Sequence, residues 1–182
     1  MPRILFTLAL LSLLLMGAAL VIGLAVGDLY DSPSDDTLRL TTVHRLTGMA
    51  AALAVVFVQS IVVTYFIGTS RWCKEVVETY RLDPALVQES TLLKRRTFPW
   101  AVLGMLAVVG VAALGAAADP ATGRADTQSW ASVHLLAALG GIAFIGWTYY
   151  LAWTYISANQ AVIQRVLEQV ARVRDERGLK SE

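Results

Sequence analysis

His44 and His134 are the only two imidazoles in the 182 residues, and they stand in matched settings. The segment Thr42-Val43-His44-Arg45-Leu46-Thr47-Gly48 opens an apolar run that continues to about Tyr65. Ninety positions on, Ser132-Val133-His134-Leu135-Leu136-Ala137-Ala138 opens a second run to Tyr155. At that offset Val43 matches Val133, Leu46 matches Leu136, Thr64-Tyr65 matches Thr154-Tyr155 and Val76 matches Val166. Self-similarity of this kind points to an internal duplication. A parallel repeat brings equivalent residues to the same membrane depth, facing each other across an axis along the membrane normal. Two imidazoles placed so form an axial pair. A metal between them, with one helix on each side, is what a bis-histidine haem requires.

The neighbouring positions allow that chemistry. His44 shares its helix face with Gly48 and Ala51, and His134 shares its face with Ala138 and Gly141. A flat macrocycle between helices needs such small residues, and Arg45 is placed to pair with its propionates. Small residues at this spacing equally allow close helix packing with no cofactor. A third reading uses Asp28 and Asp119, each just past the end of the helix that precedes its histidine. With His44 and His134 they make a two-histidine, two-carboxylate set suited to zinc, iron or copper.

These groups must be positioned by membrane helices. An apolar share of 56%, charged residues at 16% and a mean hydropathy of +0.57 exclude an ordinary soluble domain. A net charge of +1 offers nothing to nucleic acid. Cys73 is the sole cysteine, so neither a disulfide within the chain nor a multi-cysteine cluster is available. The run Ile4 to Gly27 is long enough to span a bilayer and longer than a signal-peptide core, so it is read as a retained first helix, with cleavage after Ala25-Val26-Gly27 as the alternative. Asp28 to Arg39 reads as an exposed loop. A second helix is expected from about Thr41 to Gly68, a short amphipathic helix from Ala85 to Arg96 started by Asp83-Pro84, a third span from Pro99 to Ala118, and a fourth helix after His134.

Lysine and arginine crowd the central loop (Arg71, Lys74, Arg81, Lys94, Arg95, Arg96) and the tail (Arg165, Arg172, Arg174, Arg177, Lys180). The positive-inside bias therefore puts both termini in the cytoplasm and both histidines toward the outer face, in the inner (plasma) membrane of a bacterium. Apolar spacing at Trp72, Val76 and Val77, and at Ile163, Val166, Val170 and Val173, extends helices two and four past the membrane. Gln59, Ser60, Thr64, Tyr149, Tyr150 and Thr154 are expected to face the bundle interior, and Trp130 and Trp153 to sit at the interfaces.

The expected fold is an all-α membrane protein with four transmembrane helices as two tandem repeated hairpins, residues 1–90 and 91–182, with cytoplasmic extensions of helices two and four. No nucleophile with a base, phosphate loop or catalytic carboxylate pair appears. In outline the chain resembles the small four-helix b-type cytochrome subunits that anchor respiratory complexes and carry electrons to or from quinone. The likeness rests on helix number and on a histidine in each of two helices. It implies one b-type haem held by His44 and His134, where those proteins often hold two haems with four histidines. It also implies partners among membrane or respiratory subunits, or further copies of the chain, beside the bilayer itself. A cofactor-free structural or assembly subunit is the alternative expectation.

Overall fold

In the computed structural model, which describes residues 1–178, each helix begins and ends for a local reason. Lys180, in the basic tail, and the end of the second hairpin at 182 lie outside the described residues. Helix α1 spans Pro2–Ala25, with proline in the first turn, where a missing N–H leaves nothing unsatisfied. Helix α2 spans Asp35–Tyr80, 46 residues without a break. It starts six positions before the expected Thr41. The Ser34 side chain accepts the Thr37 N–H at 3.2 Å, and Asp35 and Asp36 sit at the positive end of the helix dipole. Those carboxylates, read in the sequence as loop residues, instead begin a helix. Arg81, left-handed at φ 55°, ends it by donating its N–H to the Val77 carbonyl.

Helix α3 spans Ala85–Ala117 and runs straight through Pro99. The amphipathic helix and the third span expected as separate elements are therefore one helix. Proline removes one backbone N–H, the intrahelical partner of the Arg95 carbonyl. A membrane helix tolerates such a residue where neighbouring helices pack along it, and Thr97 and Ala101 are buried on either side of the exposed Pro99. Asp83 still caps the start, its Oδ1 accepting the Ala85 N–H at 2.9 Å. A 3-10 turn at Pro120–Thr122 leads to helix α4, Thr127–Glu176, 50 residues long. All four helices are long and apolar enough to cross a membrane, and α2 and α4 exceed twice the roughly 20 residues a bilayer needs.

Helices α1 and α3 each pack against both α2 and α4. Helices α2 and α4 also touch across the bundle, while α1 and α3 stand apart. The cross-section thus has a short diagonal, α2 to α4, and a long one, α1 to α3. Ala51, Val55, Val58, Gln59, Val62 and Phe66 are buried on α2, and ninety positions on Gly141, Ile145, Thr148, Tyr149, Ala152 and Ile156 are buried on α4. The surplus lengths of α2, α3 and α4 share the same core through Cys73, Val77, Leu86, Leu93, Val162 and Val166. Arg165 on α4 pairs with Glu89 on α3 at 2.7 Å along its surface. A division at residue 90 falls inside α3.

Polar side chains tie the bundle internally. The Gln59 amide donates to Thr148 Oγ1 at 2.7 Å, and Ser12 and Tyr149 share a hydrogen bond of 2.9 Å. Ser90 donates to Asn159 Oδ1 at 2.9 Å, and Asn159 Nδ2 donates to Tyr65 Oη and Thr69 Oγ1. Of the polar residues expected inside, Gln59 and Tyr149 are buried, whereas Thr64 and Tyr150 face outward. Neighbours in sequence point about 100° apart on a helix, so Tyr149 and Tyr150 cannot share one face.

Gly104 of α3 lies against the Gln59 amide. A Cβ there would stand 2.6 Å from Gln59 Nε2 and 3.1 Å from Thr148 Oγ1. Gly104→Ala should therefore break this tie and cost about 1–3 kcal/mol, read as easier unfolding in detergent. Gly110→Ala, whose Cβ meets nothing within 4 Å, is the control and should be neutral or stabilising.

Candidate functional site

The two histidines meet on the short diagonal. Their ring centroids are 6.1 Å apart and their planes are inclined by 74°. Both side chains are half-buried near the starts of α2 and α4. Each ring rests on the first helix of its own hairpin. His44 Nδ1 is 2.9 Å from the Ala19 carbonyl on α1, and because a carbonyl only accepts, Nδ1 carries a proton. His134 Nδ1 is buried and turned toward the Val111 carbonyl on α3 without reaching hydrogen-bond geometry.

Glycine makes room for both rings. A Cβ on Gly23 of α1 would lie 2.7 Å from His44 Cε1, and one on Gly115 of α3 would lie 2.9 Å from His134 Cε1. In each hairpin the glycine follows its carbonyl-bearing residue by four positions, Ala19 to Gly23 and Val111 to Gly115, one turn of helix. The gapless offset of ninety conceals this match. The glycines lie ninety-two apart because His44 stands nine residues after the start of α2 and His134 seven after the start of α4, the two connections being equal in length. An alignment that permitted a two-residue gap between helices would have found them.

The small residues singled out around the histidines are placed differently. A Cβ on Gly48 would meet nothing within 4 Å, Ala138 is half-buried, and Gly141 is buried so closely that a Cβ would meet Val111 Cγ2 at 2.8 Å. The matched cradle consists of Gly23 and Gly115, on the long diagonal.

Arg45, next to His44, forms an ion pair with Asp119, which also caps the 3-10 turn by accepting the Ala121 N–H at 2.9 Å. Asp28 is engaged locally, its Oδ1 accepting the Tyr30 and Asp31 N–H groups at 2.8 and 3.3 Å. The two carboxylates thus have other partners, and among the described residues no three or more His, Cys, Asp or Glu side chains gather as a metal-binding group. The four-residue set of His44, His134, Asp28 and Asp119 is not assembled, because a guanidinium and backbone N–H groups hold its carboxylates. Tyr30 adds a second tie between the connections, donating its hydroxyl to the Ala118 carbonyl at 2.9 Å. Partial burial, together with Asp119 and Asp28, raises the Tyr30 hydroxyl above its ordinary pKa, so it remains a donor at neutral pH.

Both imidazoles could lend a nitrogen to a metal, and the Nδ1–Cε1–Nε2 edge of each lies against a glycine, Gly23 of α1 or Gly115 of α3. Metal-bound histidines hold the other ring nitrogen on a backbone carbonyl or carboxylate, as His44 does on Ala19. Neither a protein-family model, nor a curated protein, nor a solved structure matches this chain.

Proposed function

We propose that the chain is an integral membrane subunit that binds one b-type haem between His44 and His134 and passes single electrons within a larger membrane complex. The observation that carries this reading is the close imidazole pair, with ring centroids 6.1 Å apart and His44 Nδ1 held by the Ala19 carbonyl. Haem, when bound, supplies one-electron redox chemistry. The chain's own residues do the rest. His44 and His134 each offer an Nε2 lone pair, and the Ala19 carbonyl fixes the tautomer and raises the basicity of His44. The Arg45–Asp119 and Tyr30–Ala118 ties draw the two connections over the histidine end and limit access of water. Arg45, neutralised by Asp119, is a clamp first and a propionate partner only if that pair opens.

In this reading the two hairpins are tandem repeats. The recurring buried positions of α2 and α4 support this, as do the parallel carbonyl-and-glycine seats under each histidine. Lysine and arginine near the helix ends put the long extensions and both termini in the cytoplasm and the histidines toward the outer face. Reporter fusions after Arg81 and within Asp31 to Asp36 check this. The first should report cytoplasm and the second the outside, and the reverse result would move the histidines to the inner face. The haem itself is tested by the absorption spectrum of protein purified from cells supplied with haem. A Soret band with split visible bands on reduction is expected. Folded protein without visible absorption overturns the reading in favour of a cofactor-free structural subunit.

A further inference from the structure

Two adjoining grooves open where α1 begins. One, of about 500 Å³, runs along α2 past Phe57, Ile61, Thr64 and Gly68 and is almost wholly apolar. The other, of about 620 Å³, is walled by Gln160, Ile163 and Gln164 of α4 and is mixed in polarity. The two grooves thus share a border at Met1 and Tyr65, an apolar limb on one side and a polar limb on the other.

Tyr65 gives that junction a definite chemistry. Its oxygen accepts from Asn159 Nδ2 at 3.2 Å, and the fully buried Asn159 is itself fixed by the Ser90 hydroxyl. The Tyr65 O–H hydrogen has no acceptor among the described residues. A ligand lying in both limbs would thus meet apolar walls at one end, a hydroxyl donor in the middle and two carboxamides at the other. The apolar limb from Phe57 to Gly68 is roughly 16 Å of helix, the reach of much of an acyl chain. Phe57 and Ile67 beside it are more than half exposed, as on a face turned to lipid. A chain whose helices cross a membrane meets phospholipid on this face at high concentration.

We propose that the two grooves together are a binding site for one glycerophospholipid, with an acyl chain along Phe57, Ile61 and Gly68, an ester carbonyl accepting from Tyr65, and the head group beside Gln160 and Gln164. The site is remote from His44 and His134 and independent of whether they bind haem.

Gly68 supplies the test, because a Cβ there meets nothing within 4 Å, so a larger side chain fills the groove without displacing the protein. Full-length protein is reconstituted in vesicles of phosphatidylethanolamine and phosphatidylglycerol, extracted in detergent, washed and weighed by native mass spectrometry. The wild type should retain one phospholipid. Gly68→Leu should lower its occupancy about tenfold, and Tyr65→Phe, which keeps the ring and removes the donor, about fivefold, as the loss of one hydrogen bond implies. Gly110→Leu, equally unobstructed and on α3, should retain it as the wild type does. Far-ultraviolet circular dichroism confirms that each variant is folded, and if Gly68→Leu does not fold, Tyr65→Phe decides alone. A wild type carrying no phospholipid, a retained species lacking phosphate, or equal retention in wild type and Tyr65→Phe would each overturn the proposal.

Discussion

His44→Ala and His134→Ala should each abolish the low-spin haem spectrum, and the double variant should be little worse than either single one. In the proposed haem site each substitution would remove one of two ligands, so the effects would be those of one unit and would not add. The two losses should nevertheless differ in residual binding. His44 Nδ1 is already held by the Ala19 carbonyl at 2.9 Å, whereas His134 Nδ1 has no partner in hydrogen-bond geometry. The remaining ligand is thus better oriented in His134→Ala than in His44→Ala, and five-coordinate haem should persist longer in the former. Holding a ligand through its other ring nitrogen is commonly worth about 10–100-fold in affinity, so the difference is readable in a haem titration. Gly23→Ala and Gly115→Ala should weaken binding through the seats alone, because a Cβ at 2.7 or 2.9 Å displaces the ring resting on it. Alanine at Gly48 meets open space and should leave the spectrum unchanged. Retention of a low-spin spectrum in either histidine variant would remove that residue as an iron ligand.

Val166→Asp is expected to destabilise the protein by about 4 kcal/mol or more, because Val166 is fully buried where α4 packs on α2 and α3 beyond the bilayer length. The new carboxylate must either lose its water or force the three helix ends apart. Val170→Asp, on the same helix but only half-buried, should cost much less. Limited proteolysis after detergent extraction separates the two outcomes. Cleavage near Arg71, Lys74 and Arg165 should accelerate sharply in Val166→Asp and only slightly in Val170→Asp. Equal resistance of wild type and Val166→Asp would show that the surplus helix ends do not depend on this packing. The two expectations are independent, since His44 and Val166 lie at opposite ends of the bundle.

The sequence by itself determined the helices and most of what faces their axis. Apolar runs of bilayer length can satisfy their backbone only as helices, and the three- and four-residue spacing of Ile163, Val166, Val170 and Val173 marks an apolar stripe whatever lies opposite. The break at Leu82-Asp83-Pro84 was legible for a similarly local reason, and Arg81 and Asp83 do end one helix and start the next. The matched histidines were legible as a pair because their offset is a property of the chain. Local rules misled at Asp35 and Pro99. The carboxylates there begin α2 because Ser34 caps them, and the proline is carried within α3 between the buried Thr97 and Ala101.

Tertiary structure alone decided what each histidine touches. That Arg45 meets Asp119, that Gly23 and Gly115 lie beneath the rings, and that Gly48 does not, follows from a bundle whose short diagonal is α2 to α4. Helix periodicity fixes the angle of a residue about its own axis but not the position of the neighbouring helix. The same limit hid Asn159 and Ser90, polar residues in apolar runs that become a buried junction only where α2, α3 and α4 converge. A hydrogen bond between residues 69 positions apart has no local signature, because its energy depends on two surfaces that the chain brings together only on folding.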